Sequence, residues 1–120
     1  MKQGDPETVV QAQLDAYNAH DVEALVAIYA DDVQQFEHPS TLLASGSTQI
    51  RARFTARFAT SRPHALLLRR IVSGNIVIDH ETVSSTSPEG RGSMELVAIY
   101  EVQDGRIARA WFIFGTRTDS

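Results

Sequence analysis

The first third of the chain carries apolar residues at helical spacing. Val10, Leu14 and Tyr17 recur at i, i+4 and i+7, which gives one apolar stripe along a helix. Asp5 is a suitable N-cap, and the proline that follows it is favoured at the first helical position. The pattern predicts a first helix that ends near residue 18.

Two further helices are predicted before residue 63. Asp21 is a suitable N-cap for a second apolar stripe over positions 22–29. Ser47 can cap a third helix, in which Ile50, Phe54 and Phe58 recur every four residues. Between these helices, positions 33–38 predict a short strand, and positions 39–47 predict a loop because they are rich in proline, serine, threonine and glycine.

The second half of the chain changes to the two-residue period of strands. Asp104-Gly105 between two such runs is a strong signal for a tight hairpin. Helices followed by sequential strands predict an α+β fold with a mostly antiparallel sheet. The four predicted strands are His64–Val72, Asn75–Ser84, Ser93–Val102 and Arg106–Thr116.

Composition narrows the possible functions. The chain has 120 residues and no cysteine, which predicts one domain and excludes disulfides, thiolate metal sites and cysteine nucleophiles. Its net charge of −4 disfavours a nucleic-acid partner. The N-terminus lacks the apolar stretch of a signal peptide, and no apolar run approaches the length of a membrane span. We therefore expect a cytoplasmic protein that does not enter a membrane.

The segment from Tyr17 to Val33, YNAHDVEALVAIYADDV, resembles the helical signature of the nuclear transport factor 2-like superfamily. The proline after the first strand, the Ser-Gly-Ser before the third helix and the Asp-Gly-Arg-Ile turn resemble the SnoaL-like and ketosteroid isomerase-like branch. The resemblance covers nearly the whole chain as one domain, residues 1–120. It implies a cone-shaped fold, in which three N-terminal helices pack in a strongly curved, mostly antiparallel sheet that encloses a pocket.

The resemblance also suggests a catalytic residue. His38 stands where ketosteroid isomerase-like proteins have their carboxylate base, and a histidine suits proton transfer at neutral pH. The two oxyanion donors of the isomerase are changed, since Gln13 and Ala98 occupy their positions. Tyr17 or Tyr100 can supply a hydroxyl instead. A histidine that only lines the pocket or its rim is the alternative for His38.

The predicted pocket is apolar and suits a small hydrophobic molecule. The resemblance places Gln13 in its lining. Strand alternation and the helix stripes, taken with the resemblance, predict the other lining residues as Tyr17, Phe36, Phe54, Phe58, Leu96, Ala98, Tyr100, Phe112 and Phe114. The side chains that are predicted to point away from the pocket are too apolar for a sheet face exposed to solvent, and similar proteins are commonly dimers. We therefore expect a homodimer through the outer face of the sheet, with Trp111, Ile113, Val97 and Ile99 in the interface.

Other polar clusters are less specific. Asp79-His80-Glu81 is too polar for an ordinary core strand, and one of the three is a candidate for the pocket or the dimer, although a structural role is favoured. The four histidines show no metal-ligand spacing, and no cofactor motif is present. The Asp-Arg-Asp set of related epoxide hydrolases has no evident counterpart. Six of the ten arginines lie between positions 51 and 70. They form either a solvated helix face or a rim of the pocket that attracts anions.

Three functions remain open from the sequence. The first is a cofactor-free acid–base isomerase or cyclase that acts on a small hydrophobic carbonyl compound, with His38 as the proton shuttle. The second is a homodimer that binds a small ligand without transforming it. The third is an accessory oligomerisation module whose apolar outer sheet is the working surface.

Overall fold

Three helices and six strands make up the fold of this computed structural model, which describes residues 4–87 and 90–119. The helices are α1 (Pro6–Asn18), α2 (Val22–Ile28) and α3 (Ser47–Thr60). The strands are β1 (Tyr29–Glu37), β2 (Thr41–Ser45), β3 (His64–Ser73), β4 (Ile76–Ser87), β5 (Gly90–Gln103) and β6 (Arg106–Asp119). The predicted α+β class is confirmed.

All six strands form one open sheet in the order β2-β1-β6-β5-β4-β3. Neighbouring strands are antiparallel except β1 and β6, which run parallel. The long β3–β6 meander agrees with the four strands predicted from the two-residue period. The helices cover the inner face of this sheet, and the cavity described below lies between the two layers.

Local sequence accounts for the helix starts. The Asp21 carboxylate accepts a hydrogen bond from the Ala24 backbone N–H at 3.0 Å, so it caps α2 as predicted. The prediction that Ser47 caps α3 is off by one residue. Gly46 is the N-cap, with a φ of 85° that favours glycine, and Ser47 is the first helical residue.

The core lies where α1, α2 and α3 meet the inner face of the sheet. Its largest fully buried side chain is Tyr29 at the start of β1, and Leu25, Ile50 and Ile107 are equally inaccessible. Such residues supply most of the hydrophobic stabilisation, roughly 1.5–3 kcal/mol for each buried large apolar side chain. None of the helices in the described ranges is long and apolar enough to cross a membrane.

Two predictions around the first hairpin are wrong. β1 begins at Tyr29, four residues before its predicted start, and the predicted loop contains β2. β1 and β2 pair with a register shift between Gln35 and Phe36. β2 is an edge strand of five residues whose apolar residues stand next to one another, so it lacks the alternation that identifies longer strands.

Candidate functional site

A cavity of about 400 Å³ opens between the helices and the inner face of the sheet. This volume lies within the roughly 300–1,000 Å³ typical of small-molecule sites. Aliphatic and aromatic side chains supply most of the wall, among them Leu14, Phe54, Val83 and Met94. The polar side chains that interrupt this wall are Gln13, Tyr17, Tyr29, Gln35, Arg53, Arg57, Thr60, Glu81 and Tyr100.

Strand β4 carries two acidic side chains on the inner face of the sheet. Asp79 and Glu81 are two residues apart, which places both on one face of the strand, and they are 0% and 4% exposed. Asp79 is bonded by Arg70 on β3, whose Nε and Nη2 donate to its two carboxylate oxygens at 2.7 and 2.9 Å. This bidentate geometry compensates the burial of both charges.

Glu81 lines the cavity without such a partner. No hydrogen bond or ion pair joins its carboxyl to a cation in the described part of the chain. Arg70 directs Nη1 to the Gln11 side-chain oxygen at 2.9 Å, with Glu7 at 4.0 Å. Burial and the nearby Asp79 charge raise the pKa of Glu81 to about 7, against a smaller opposing effect of Arg70. The carboxyl is therefore poised to gain or lose a proton near neutral pH.

Two tyrosine hydroxyls complete this part of the cavity. Tyr100 donates to the Gln13 side-chain oxygen at 3.3 Å, whereas the buried Tyr29 hydroxyl makes no hydrogen bond to any described residue, although the amides of Gln13 and Gln35 lie near it. Burial raises the pKa of both phenols, so both remain protonated at neutral pH. The two amides act against the raised pKa of Tyr29, as donors to its phenol oxygen do, whereas its O–H has no acceptor among the described residues.

Helix α3 contributes two cations to the same cavity. Arg53 and Arg57, one helical turn apart, both line it. Arg53 donates to the Gln35 side-chain oxygen at 2.9 Å, and the Arg57 Nε lies 3.4 Å from the Tyr17 hydroxyl. Neither guanidinium has a carboxylate within ion-pair distance among the residues that the structure describes.

Seven of the eleven predicted site residues lie along the cavity: Gln13, Tyr17, Phe54, Leu96, Tyr100, Phe112 and Phe114. Ala98 does not, because it is fully buried in the core between Asp79 and Phe112 of the neighbouring strands. Phe58 also lies outside the lining and packs against the rings of Tyr17 and His20.

The structure does not bring the predicted base to the cavity. His38 is exposed just beyond the end of β1, where its backbone N–H donates to the Phe112 carbonyl at 2.8 Å and its bond to Pro39 is cis. Phe36 faces the outer side of the sheet, where its ring stacks on Trp111 at 5.9 Å. The inner position on β1 belongs to Gln35, which is 2% exposed. The side chains of β1 that face the pocket are therefore the alternate set to the predicted one.

Sequence reasoning missed Tyr29 and Gln35, whereas Arg53 and Arg57 belong to the arginines for which a pocket rim was one of two alternatives, and Glu81 was one of three candidates on β4. A signal for Glu81 was present in the alternation of β4, which groups Val77, Asp79, Glu81 and Val83 on one face. The structure also brings Arg70, Asp79 and Glu81 together, although the sequence shows no evident Asp-Arg-Asp set. Arg70 bonds only the first of these two carboxylates.

The described residues contain no group of three or more His, Asp or Glu side chains placed to hold a metal ion. The four histidines are dispersed: His20 bonds the Pro63 carbonyl at 2.7 Å, and His80 pairs with Glu95 at 3.1 Å. His38 and His64 are exposed.

Solved structures share this fold over most of their length. An uncharacterised cystatin-fold protein from Novosphingobium aromaticivorans is 24% identical, with a TM-score of 0.84 over 91% of this chain and 97% of that one. An LEH-like epoxide hydrolase from M. tuberculosis is 20% identical, with a TM-score of 0.79 over 88% of this chain and 79% of that one. SalBIII is an epoxide hydrolase/cyclase-like enzyme with a role in pyran ring formation in the polyether salinomycin. It is 14% identical, with a TM-score of 0.86 over 96% of this chain and 95% of that one.

No curated protein matches the sequence. A family model does: the SnoaL-like domain matches residues 10–110, a range that begins within α1 and ends within the first half of β6. The family match and the shared cone-shaped architecture confirm the resemblance seen in the sequence. The chain belongs to the SnoaL-like domain family of the nuclear transport factor 2-like superfamily.

Proposed function

We propose that this protein is an acid–base enzyme that moves a proton on a small, largely apolar carbonyl compound, as an isomerase or cyclase. The observation that carries the proposal is Glu81: a cavity-lining carboxyl with a pKa of about 7 and no cation bonded to it in the described chain. A general base works best when its pKa lies near the working pH. This role replaces the one that the sequence suggested for His38.

The geometry supports a two-step proton transfer. The Glu81 carboxylate takes a proton from the carbon next to the carbonyl. The electron pair of that C–H bond forms a C=C bond to the carbonyl carbon, and the π pair of the C=O bond moves onto the oxygen. The Tyr29 hydroxyl, which has no partner among the described residues, donates a hydrogen bond to this developing oxyanion. Protonated Glu81 then returns the proton to carbon, at the same or a conjugated position.

The surroundings favour this chemistry. Phe54, Leu96 and Phe112 provide apolar walls, which exclude water and strengthen the electrostatic interactions of the reacting groups. Glu81 lies within electrostatic range of Tyr17, Tyr29 and Tyr100, because its charge contributes to the raised pKa of each phenol. The carboxyl and the hydroxyl donors therefore share one apolar compartment.

The test uses 2-tetralone, an apolar ketone with acidic C–H groups, as the probe. In D₂O, the wild-type protein should catalyse exchange of these hydrogens, followed by NMR, and the rate should rise with pH as Glu81 ionises around pH 7. Glu81→Gln should slow exchange by roughly 10²–10⁴-fold, and Tyr29→Phe by about 10²-fold. His38→Ala is the matched control and should leave the rate unchanged.

Two outcomes contradict the proposal. If Glu81→Gln exchanges 2-tetralone as fast as the wild type, Glu81 is not the base. If the wild type binds the ketone but accelerates no exchange, the cavity is that of a ligand-binding protein, which is the second function left open by the sequence.

The outer face of the sheet supports a homodimer. Five cross-strand neighbours form an apolar row over β1, β6, β5, β4 and β3: Phe36, Trp111, Ile99, Ile78 and Ile71. Ile71 is 61% exposed and Ile113, on the same face, is 41% exposed. A contiguous apolar surface of this kind is typical of an interface. A second copy of the chain, packed face to face, would cover the row.

Light scattering after size exclusion tests this assembly. The wild type should elute with the mass of a dimer, and Trp111→Glu should give a monomer because a charge would be buried in the interface. Gln103→Glu, at the exposed C-terminal end of β5, should remain dimeric. A monomeric wild type would contradict the interface.

A further inference from the structure

The charged residues around the cavity occupy two separate positions. Glu81 belongs to the sheet wall, where the charges that affect its pKa are those of Asp79 and Arg70. Arg53 and Arg57 belong to the helix wall, where the ionised group nearest in effect to Arg53 is Arg57, because the phenols of Tyr17 and Tyr29 are neutral at neutral pH. No direct pairing connects the acidic and the basic wall in the part of the chain that the structure describes.

The two cavity arginines differ from the ion-paired Arg51, Arg70 and Arg109 in their partners. Arg70 is bonded to Asp79, Arg51 pairs with Glu23, and Arg109 lies 3.7 Å from Glu101. Arg53 and Arg57 instead contact only a neutral amide oxygen and a neutral phenol among the described residues. Each guanidinium presents five donors, so most of their hydrogen-bonding capacity remains available to a ligand.

The spacing of Arg53 and Arg57 should strengthen their attraction for an anion. Arg53 and Arg57 lie at i and i+4 on α3, where side chains share one face, and the charge of Arg57 is unfavourable to that of Arg53. Burial also lowers the pKa of Arg53. A negative charge bound between them would relieve both costs, and planar guanidinium groups match the geometry of a carboxylate.

We propose that Arg53 and Arg57 bind an anionic carboxylate of the ligand at the helix wall, so that the natural substrate is an amphipathic oxo acid and not a neutral hydrophobic molecule. Its apolar body would lie against Phe54 and Leu96, with the carbonyl near Tyr29 and Glu81. The substrate class rests on the proposed function for the position of the carbonyl. The anion site itself rests only on the two arginines.

A matched pair of probes tests the anion site. 1-Naphthaleneacetate and 1-naphthaleneacetamide have nearly the same shape, and only the first is charged. At pH 6, where the acid is ionised and Glu81 is largely protonated, calorimetry on the wild type should show the acid binding at least about tenfold more tightly than the amide. This preference should decrease as the ionic strength is raised.

Three variants identify the source of the preference. Arg53→Gln/Arg57→Gln should bind acid and amide equally, whereas Arg53→Lys/Arg57→Lys, which keeps both charges, should retain part of the preference. Arg51→Gln, on the same helix but outside the cavity, should retain all of it. Thermal unfolding of each variant verifies that it is folded.

The proposal is overturned if the wild type binds the acid no more tightly than the amide, or if the double glutamine variant keeps the full preference. Failure here is distinguishable from failure of the proposed function. Equal binding of the two probes, with ketone exchange still dependent on Glu81, removes only the anion site. Intact acid preference, with exchange independent of Glu81, removes only the catalytic role.

Discussion

Asp79 and Glu81 occupy the same face of the same strand, yet their surroundings differ. Asp79 is fully enclosed and bonded twice by Arg70, so its charge is compensated and it contributes to the fold. Glu81, two residues on, faces the cavity without a bonded cation in the described chain, and burial raises its pKa to about 7. The comparison shows how the placement of a single arginine separates a carboxylate whose charge is compensated from a carboxyl whose pKa is raised.

Breaking the compensated pair should have the largest effect on stability. Asp79→Asn removes the charge and leaves Arg70, whose side chain is 9% exposed, buried without its partner. We expect a loss of about 3–5 kcal/mol in the free energy of unfolding, measured by urea denaturation. The double replacement Arg70→Met/Asp79→Leu should recover much of this loss. A loss below about 1 kcal/mol for Asp79→Asn would show that the pair is not structural.

Neutralising Glu81 should produce a smaller effect that depends on pH. Because its pKa is raised in the folded protein, the native state binds more protons than the unfolded state between about pH 4.5 and 7, and the wild type should lose stability as pH rises through this window. Between pH 5 and 8 this loss is about 2–3 kcal/mol.

Urea denaturation of Glu81→Gln at several pH values measures this contribution. The variant should lack that part of the pH dependence, and relative to the wild type it should be more stable at pH 8 than at pH 5. Parallel stability curves for the two proteins would contradict the raised pKa.

The two tyrosine hydroxyls near Glu81 should differ in their contribution to the free energy of unfolding, and both effects should be smaller than that of Glu81. Tyr100→Phe removes the hydrogen bond to Gln13 and should cost about 1 kcal/mol. Tyr29→Phe removes a buried hydroxyl that has no partner among the described residues, and should leave stability unchanged or slightly raised while it slows catalysis. A loss for Tyr29→Phe as large as that for Tyr100→Phe would indicate a structural role for the Tyr29 hydroxyl.

An exposed ion pair should give the smallest effect. Arg51 and Glu23 pair on the surface, with side chains 46% and 75% exposed. Arg51→Gln should change the free energy of unfolding by less than about 0.5 kcal/mol, in contrast to the buried pair of Arg70 and Asp79. A larger loss would mean that solvent exposure does not explain the difference between the two pairs.

The sequence predicted the fold well because its signals are local and repeated. Apolar residues at helical spacing identified α1, α2 and α3, and the turn at Asp104-Gly105 separated β5 from β6. The family resemblance then supplied the arrangement of these elements. Six cavity-lining residues followed from strand and helix faces, since alternation along a long strand such as β6 sets which side chains point inward, and Gln13 followed from the family resemblance.

The remaining parts of the site depend on contacts between distant segments. The phase of β1 is set by its partners, because a shift of one residue exchanges the two faces of a strand. Trp111 on β6 gives Phe36 an apolar neighbour on the outer face, which places Gln35 inside. On β4 the outer face carries Ile78 while the inner face carries Asp79 and Glu81, so hydrophobicity alone predicts the wrong face.

The proposed chemistry requires that Glu81 gains and loses a proton near neutral pH inside the cavity. Carbon-13 NMR of the glutamate carboxyl groups measures this directly, with the Glu81 signal assigned by its loss in Glu81→Gln. We predict that the signal titrates with a midpoint near pH 7. A midpoint below about pH 5, close to the ordinary value of a glutamate, would contradict the account.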